Sequence, residues 1–157
     1  MKFGWINVFG VVIVIIMMIP NIVYAMKNKG EKNLCTNRCM NIVEQIGRYA
    51  CIMLMWIPLL VWKFGFASEF EMVLYLAGNG MFLAMYCILF AVYMKHKTMR
   101  LALSLAIIPS CIFLLSGIML QHWLLVIFAV LFAIGHIYVT YINAEHINDD
   151  RLFGEEK

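Results

Sequence analysis

The chain has the composition of a membrane protein. Its 157 residues are 64% hydrophobic and only 13% charged, whereas a soluble domain is about 45–50% apolar and about 25% charged. The longest stretch between apolar runs, residues 26–44, is too short to form a separate soluble domain. The net charge of +3 is small, and membrane topology explains where the basic residues lie, so we predict no nucleic-acid partner.

Five long apolar runs predict five transmembrane helices. The predicted spans are about 5–25, 45–62, 72–94, 101–120 and 123–141. Each has roughly the 17–25 residues that a helix needs to cross a bilayer, and lipid-exposed irregular backbone is not tolerated at that depth. The predicted fold class is therefore all-α, a polytopic membrane protein with a single five-helix transmembrane domain over residues 1–144. Residues 145–157 are expected to form a short, charged, solvated cytoplasmic tail.

The basic residues predict an N-terminus outside and a C-terminus inside. The inside segments then carry Lys27, Lys29, Lys32, Arg38, Arg48, Lys95, Lys97, Arg100, Arg151 and Lys157, and the outside segments carry Lys2 and Lys63. This asymmetry follows the positive-inside rule. Trp5, Trp62 and Trp123 fall at predicted outer ends, and Tyr24, Tyr49, Tyr93 and Tyr141 fall at inner ends, as in interfacial aromatic belts. We expect a multi-pass protein of the plasma or cytoplasmic membrane.

The loop before the second span contains a charged pair. Glu44 and Arg48 are spaced i,i+4 and are predicted to pair on one helix face. Asn41, three residues before Glu44, resembles a capping box at the start of the second helix. Arg48 is either a positive anchor at the lipid headgroups or a contact for an anionic ligand or lipid headgroup on the cytoplasmic side.

The cysteines do not indicate a disulfide framework or a metal centre. There are five, an odd number, and three of them lie in predicted spans. Cys35 and Cys39 could supply two metal ligands, but no His or further Cys lies near them in the sequence to complete a set of four. We predict no metal and no cofactor.

The third span carries two seams at helical spacing. The first consists of small residues that let another helix approach closely, and its members are Ala77, Gly80, Ala84, Cys87 and Ala91. The second is polar and aromatic, and its members are Tyr75, Asn79, Phe82, Tyr86, Leu89 and Tyr93. We predict that this helix lies at the centre of the bundle and that Asn79 has a partner or a water molecule there.

The fourth and fifth spans form a hairpin, because only Gln121 and His122 separate them. His136, in the fifth span, is the only ionisable residue well inside an apolar run. Such a residue is a functional candidate and could relay protons. It could equally be a neutral histidine that holds helices together through a hydrogen bond. No acidic residue is expected in the apolar core.

Polar residues of several spans lie in the predicted cytoplasmic half of the membrane. We predict a ligand-binding pocket there, lined by Asn21, Arg48, Tyr86, His136, Thr140 and Asn143. Separate helix–helix hydrogen bonds would give the same pattern. No Walker, Rossmann, G-x-S-x-G or H-E-x-x-H motif is present.

Three functional hypotheses follow. The first is a transporter- or channel-like component that binds a small solute or lipid in the pocket. The second is an accessory or assembly subunit of a membrane complex, or a homo-oligomer, that docks through the small seam. The third is a membrane-embedded, lipid-modifying enzyme with His136 as acid or base. In each case the lipid bilayer is a partner, and the sequence favours a non-enzymatic role.

Overall fold

The computed structural model describes residues 6–29, 33–57, 59–61, 65–66 and 68–154, with side chains described up to His146. The architecture is all-helical, as predicted. The five helices are α1 (Val8–Lys27), α2 (Arg38–Trp56), α3 (Glu69–Tyr93), α4 (Met99–Met119) and α5 (Trp123–Gly154).

Among the described residues, four helices are long and apolar enough to cross a membrane. They are α1, α3, α4 and residues Trp123–His146 of α5. The α2 helix does not meet this criterion by composition, because it includes Arg38, Glu44 and Arg48. Its bounds also differ from the predicted span 45–62, since the helix begins at Arg38 and ends at Trp56.

Polar caps explain where α1, α2 and α3 begin. The side chains of Asn7, Asn37 and Ser68 each accept a hydrogen bond from a backbone N–H in the first turn. Such caps satisfy donors that have no partner within the helix. Because Asn37 is the cap of α2, Asn41 lies inside the helix, and the predicted capping box at Asn41 is wrong.

The helices form a ring in the order α1, α2, α5, α4, α3. Neighbours in this order contact one another, α3 contacts α1 to close the ring, and α2 also contacts α4 across it. The α3 helix therefore lies between α1 and α4 and not at the centre of the bundle, where the sequence had suggested it.

Two glycines bring α2 and α5 into backbone contact. A Cβ atom at Gly47 would lie 2.7 Å from the Phe132 Cα, and one at Gly135 would lie 2.8 Å from the Glu44 Cα. Neither position has room for a side chain. The contacts pair Glu44 with Gly135 and Gly47 with Phe132, so the two helices run antiparallel.

The turn between α4 and α5 contacts the residues that follow α2, at one end of the α2–α5 pair. Gln121 adopts a positive φ of 51°, and the His122 N–H bonds the Gly117 carbonyl at 2.8 Å, as in a helix C-terminal motif with a left-handed residue. The buried His122 ring places Nε2 3.0 Å from the carbonyl oxygen of Leu59, just beyond α2. Burial lowers the pKa of His122.

At the other end, α5 extends beyond its predicted span. It has 32 residues and ends at Gly154, whereas the predicted span ends at residue 141. Residues 145–154, which were predicted to belong to the tail, therefore continue the helix. Residues 155–157 lie outside the described part.

Candidate functional site

A charged cluster lies between α2 and α5. The Glu44 side chain is buried, with the residue only 5% exposed. Its Oε1 atom accepts a hydrogen bond from Arg48 Nη2 and lies 3.1 Å from His136 Nδ1. The predicted Glu44–Arg48 pair is confirmed. The expectation of an apolar core without an acid is wrong, because the glycine contacts enclose Glu44 between the two helices.

The Glu44 carboxylate fixes the orientation of the His136 imidazole. A carboxylate only accepts hydrogen bonds, so the network assigns the ring hydrogen to Nδ1 and leaves the Nε2 lone pair of the neutral ring as an acceptor. The ring also stacks on Phe132, with centroids 4.7 Å apart and planes 16° apart. His136 is thus held by one hydrogen bond and one aromatic contact, which directs Nε2 away from Glu44.

Arg48 is the exposed member of the cluster. Its side chain is 45% exposed, against 7% for Glu44. The Gly47–Phe132 contact places Arg48 near the middle of the segment Trp123–His146. A cation at the centre of a transmembrane helix costs about 2.5–3.5 kcal/mol to insert, and it normally faces a protein interior or a water-filled cavity.

The cluster thus consists of three ionisable side chains from two helices. Glu44 and Arg48 lie on α2 and His136 lies on α5, and both Arg48 and His136 contact Glu44 Oε1.

Two further predicted residues form a neighbouring contact. Asn21 Nδ2 donates to the Tyr86 hydroxyl oxygen at 2.9 Å and to the Met17 carbonyl oxygen at 3.0 Å. This contact joins α1 to α3. Asn21 and Tyr86 thus lie together, and Arg48 and His136 both contact Glu44.

The remaining two predicted residues lie further along α5. Asn143 binds the α1–α2 loop, accepting from the Leu34 N–H at 2.8 Å and donating to Asn33 Oδ1 at 3.1 Å. Its amide is therefore used to anchor that loop and does not join the charged cluster. Thr140 is half-buried one turn beyond His136.

The small seam of α3 faces away from the bundle. Ala77, Gly80, Ala84 and Ala91 are exposed, and a Cβ atom at Gly80 would meet nothing within 4 Å. Cys87 is partly buried. The polar and aromatic seam points inward instead, with Tyr75, Asn79 and Tyr86 buried.

A second polar cluster lies in the half of the bundle near the start of α3. Asn79 Oδ1 accepts from the Ser116 hydroxyl at 3.1 Å, so the predicted partner of Asn79 is present. Asn7 and Tyr75 are fully buried beside this pair. The buried Tyr75 hydroxyl has no direct hydrogen-bond partner in the described part of the chain.

Metal-binding side chains do not converge in the described part of the chain, where no three His, Cys, Asp or Glu residues are grouped closely enough to hold an ion.

Comparison with known protein families, curated proteins and solved structures finds no match. The fold itself defines the class, because four long apolar helices pack in one bundle. The chain is an integral membrane protein with a helical transmembrane bundle.

Proposed function

We propose that the chain crosses the membrane five times, with α2 as the additional span. The α2 helix runs beside α5 from His122 to Asn143, over nearly the whole membrane-capable part of α5. Its 19 residues extend about 28 Å at 1.5 Å per residue, close to the thickness of the hydrocarbon core. Large apolar side chains such as Ile46 and Met53 cover its outward face.

We also propose that the N-terminus is outside and the C-terminus inside, in a plasma or cytoplasmic membrane. Two basic segments lie at the same end of the bundle, because Lys97 Nζ donates to Asn28 Oδ1 at 3.1 Å and lies 5.2 Å from the Tyr24 ring centroid. Clustering of basic residues at one end supports placing that end in the cytoplasm.

We propose that the protein binds a small anionic solute or an anionic lipid headgroup at Arg48, as part of a transporter- or channel-like component. The observation that carries this proposal is the half-exposed Arg48 paired with the buried Glu44. A guanidinium group presents several N–H donors in a geometry that suits carboxylate and phosphate groups. Glu44 holds the guanidinium group through Nη2, and part of the Arg48 side chain stays accessible.

Native mass spectrometry of the gently extracted protein tests this function. We expect a bound anionic small molecule or lipid that is lost in Arg48→Gln and retained in Arg100→Gln, which removes a cation from an exposed position at the start of α4. Retention in both variants would contradict the assignment to Arg48.

The exposed small seam of α3 favours a second function, that of a subunit in a homo-oligomer or a membrane complex. Small residues at helical spacing allow close helix approach in membranes, and no part of the described chain covers Gly80. We expect Gly80→Leu and Ala84→Leu to reduce the mass of the extracted assembly, and Met81→Leu beside them to leave it unchanged. An unchanged mass in all three variants would remove this alternative.

A further inference from the structure

We propose that anion binding at Arg48 is coupled to the uptake of one proton by His136. This inference rests on the proposed binding function and adds a regulation of the same site. It starts from the observation that Arg48 Nη2 and His136 Nδ1 contact one and the same oxygen atom, Glu44 Oε1. The charge of a single carboxylate is therefore shared between two cationic partners.

The charge of the cluster depends on the protonation of His136. With a neutral imidazole, the Glu44 carboxylate balances the Arg48 guanidinium, and the cluster is neutral. A proton taken from water at Nε2 converts the ring to imidazolium, which keeps its Nδ1–H bond to Glu44 and gives the cluster a net positive charge. An anion then meets an excess of positive charge and binds more tightly.

Other groups around the cluster do not change charge in the same pH range. On α2 these are Glu44, Arg48 and the buried thiol of Cys51, on α3 the buried Tyr86 phenol, and on α4, which also packs against α5, Arg100 and Cys111. The α1 helix contributes the uncharged Asn21 amide. Histidine is the side-chain type whose charge ordinarily changes between pH 5 and 8, and His136 is the histidine that contacts Glu44 in this cluster.

The burial of Glu44 strengthens the coupling between the charge of His136 and anion binding at Arg48. Glu44 is buried against the backbone of Gly135, and charges in a poorly hydrated interior interact more strongly than charges in water. Binding of the anion and uptake of the proton are thermodynamically linked. If one proton is taken up per anion, the affinity falls by up to about tenfold for each pH unit above the pKa that the proton-binding group has without the anion.

Sulfate is a suitable probe, because its charge is constant between pH 5.5 and 8. We would measure its binding by isothermal titration calorimetry to the protein in nanodiscs of zwitterionic phosphatidylcholine. Two buffers of different ionisation enthalpy report the number of protons taken up. We expect affinity to weaken several-fold or more from pH 6 to pH 7.5, with uptake approaching one proton per sulfate.

Variants separate the roles of the residues. We expect His136→Gln to bind sulfate with nearly the same affinity at both pH values. The control is His146→Gln, a matched change at an exposed position of α5, which should keep the pH dependence. If His136→Gln does not fold, the proton count of the unaltered protein still decides the question. Retention of the full pH slope by a folded His136→Gln would overturn the assignment.

A second set of nanodiscs, containing phosphatidylglycerol, distinguishes a headgroup from a soluble anion. If the ligand is a lipid, phosphatidylglycerol competes with sulfate and is retained in native mass spectra at pH 6 more than at pH 7.5. Equal affinities for the anion at both pH values, without proton uptake, would overturn the coupling and leave the proposed function intact. No binding of either probe would overturn both proposals.

Discussion

At the scale of single residues, Glu44 shows how helix packing determines the chemistry of a side chain. In sequence it belongs to a polar loop and helix start, and its pairing with Arg48 could be predicted from the i,i+4 spacing. Its burial and its contact with His136 could not be predicted, because these two residues are separated by 92 positions. His136 and Arg48 could be selected as candidates since each is an ionisable residue in or beside an apolar run.

Glu44→Gln tests the contribution of this carboxylate to stability. The amide keeps the size of the side chain but weakens the hydrogen bonds from Arg48 and His136, and hydrogen bonds to a charged group contribute about 1.5–3 kcal/mol. Because Arg48 is 45% exposed, we expect a loss at the lower end, about 1–2 kcal/mol, in the free energy of unfolding. Unfolding in mixed detergent micelles measures it.

Glu145→Gln is the matched control, because Glu145 is exposed on α5, and we expect it to change stability by less than about 0.5 kcal/mol. Equal stabilities of the Glu44 and Glu145 variants would show that the buried carboxylate contributes nothing.

The buried His122 is expected to make the stability of the folded protein depend on pH. Burial lowers its pKa in the folded protein, so the unfolded chain binds more protons below about pH 6.5. Stability from this group is present above that pH and is lost as the pH falls. We expect the melting temperature to fall more between pH 7.5 and 5.5 in the unaltered protein than in His122→Gln.

His96→Gln, in the exposed α3–α4 loop, is the comparison for this measurement and should keep the full pH dependence. A melting curve of His122→Gln that shifts with pH as much as that of the unaltered protein would contradict the prediction.

At the scale of helices, α2 is where prediction from hydropathy and the structure differ most. The spans of α3 and α4 could be predicted closely, because their apolar runs are long and flanked by charged or polar residues. For α2, the apolar run predicts a span at 45–62, several residues further along the chain than the helix Arg38–Trp56. The difference arises because the first two turns of the helix are polar. The Asn37 cap and the packing against α5 stabilise those turns, and packing against a distant helix has no local sequence signal.

The two glycine environments give a direct test of this packing. In an exposed helix, Gly→Ala stabilises by about 1 kcal/mol. At Gly135, the added methyl group would lie 2.8 Å from the backbone of Glu44, and overpacking costs about 1–3 kcal/mol. We expect Gly135→Ala to destabilise the protein and Gly80→Ala, in open space, to leave it unchanged or more stable. Thermal unfolding measures both, and the reverse order would contradict the α2–α5 contact.

At the scale of the whole molecule, the proposed topology places the two ends of α2 on opposite sides of the membrane. Cys39, near its start, is exposed, and Ser68 follows its other end as the cap of α3. We expect a membrane-impermeant maleimide to label Ser68→Cys in intact cells and Cys39 only after permeabilisation. A Cys39→Ser variant supplies the background from the other thiols. Labelling of both positions from the same side would show that α2 does not cross.

The backbone contact between α2 and α5 has a consequence for biogenesis. A helix that carries Arg38, Glu44 and Arg48 partitions poorly into lipid by itself, whereas the other four are apolar enough to enter. Its main partner, α5, is synthesised after α3 and α4. In the proposed five-span topology, stable insertion of α2 therefore has to wait until the ribosome has delivered α5. The helix that is synthesised second would then be the last to enter the membrane.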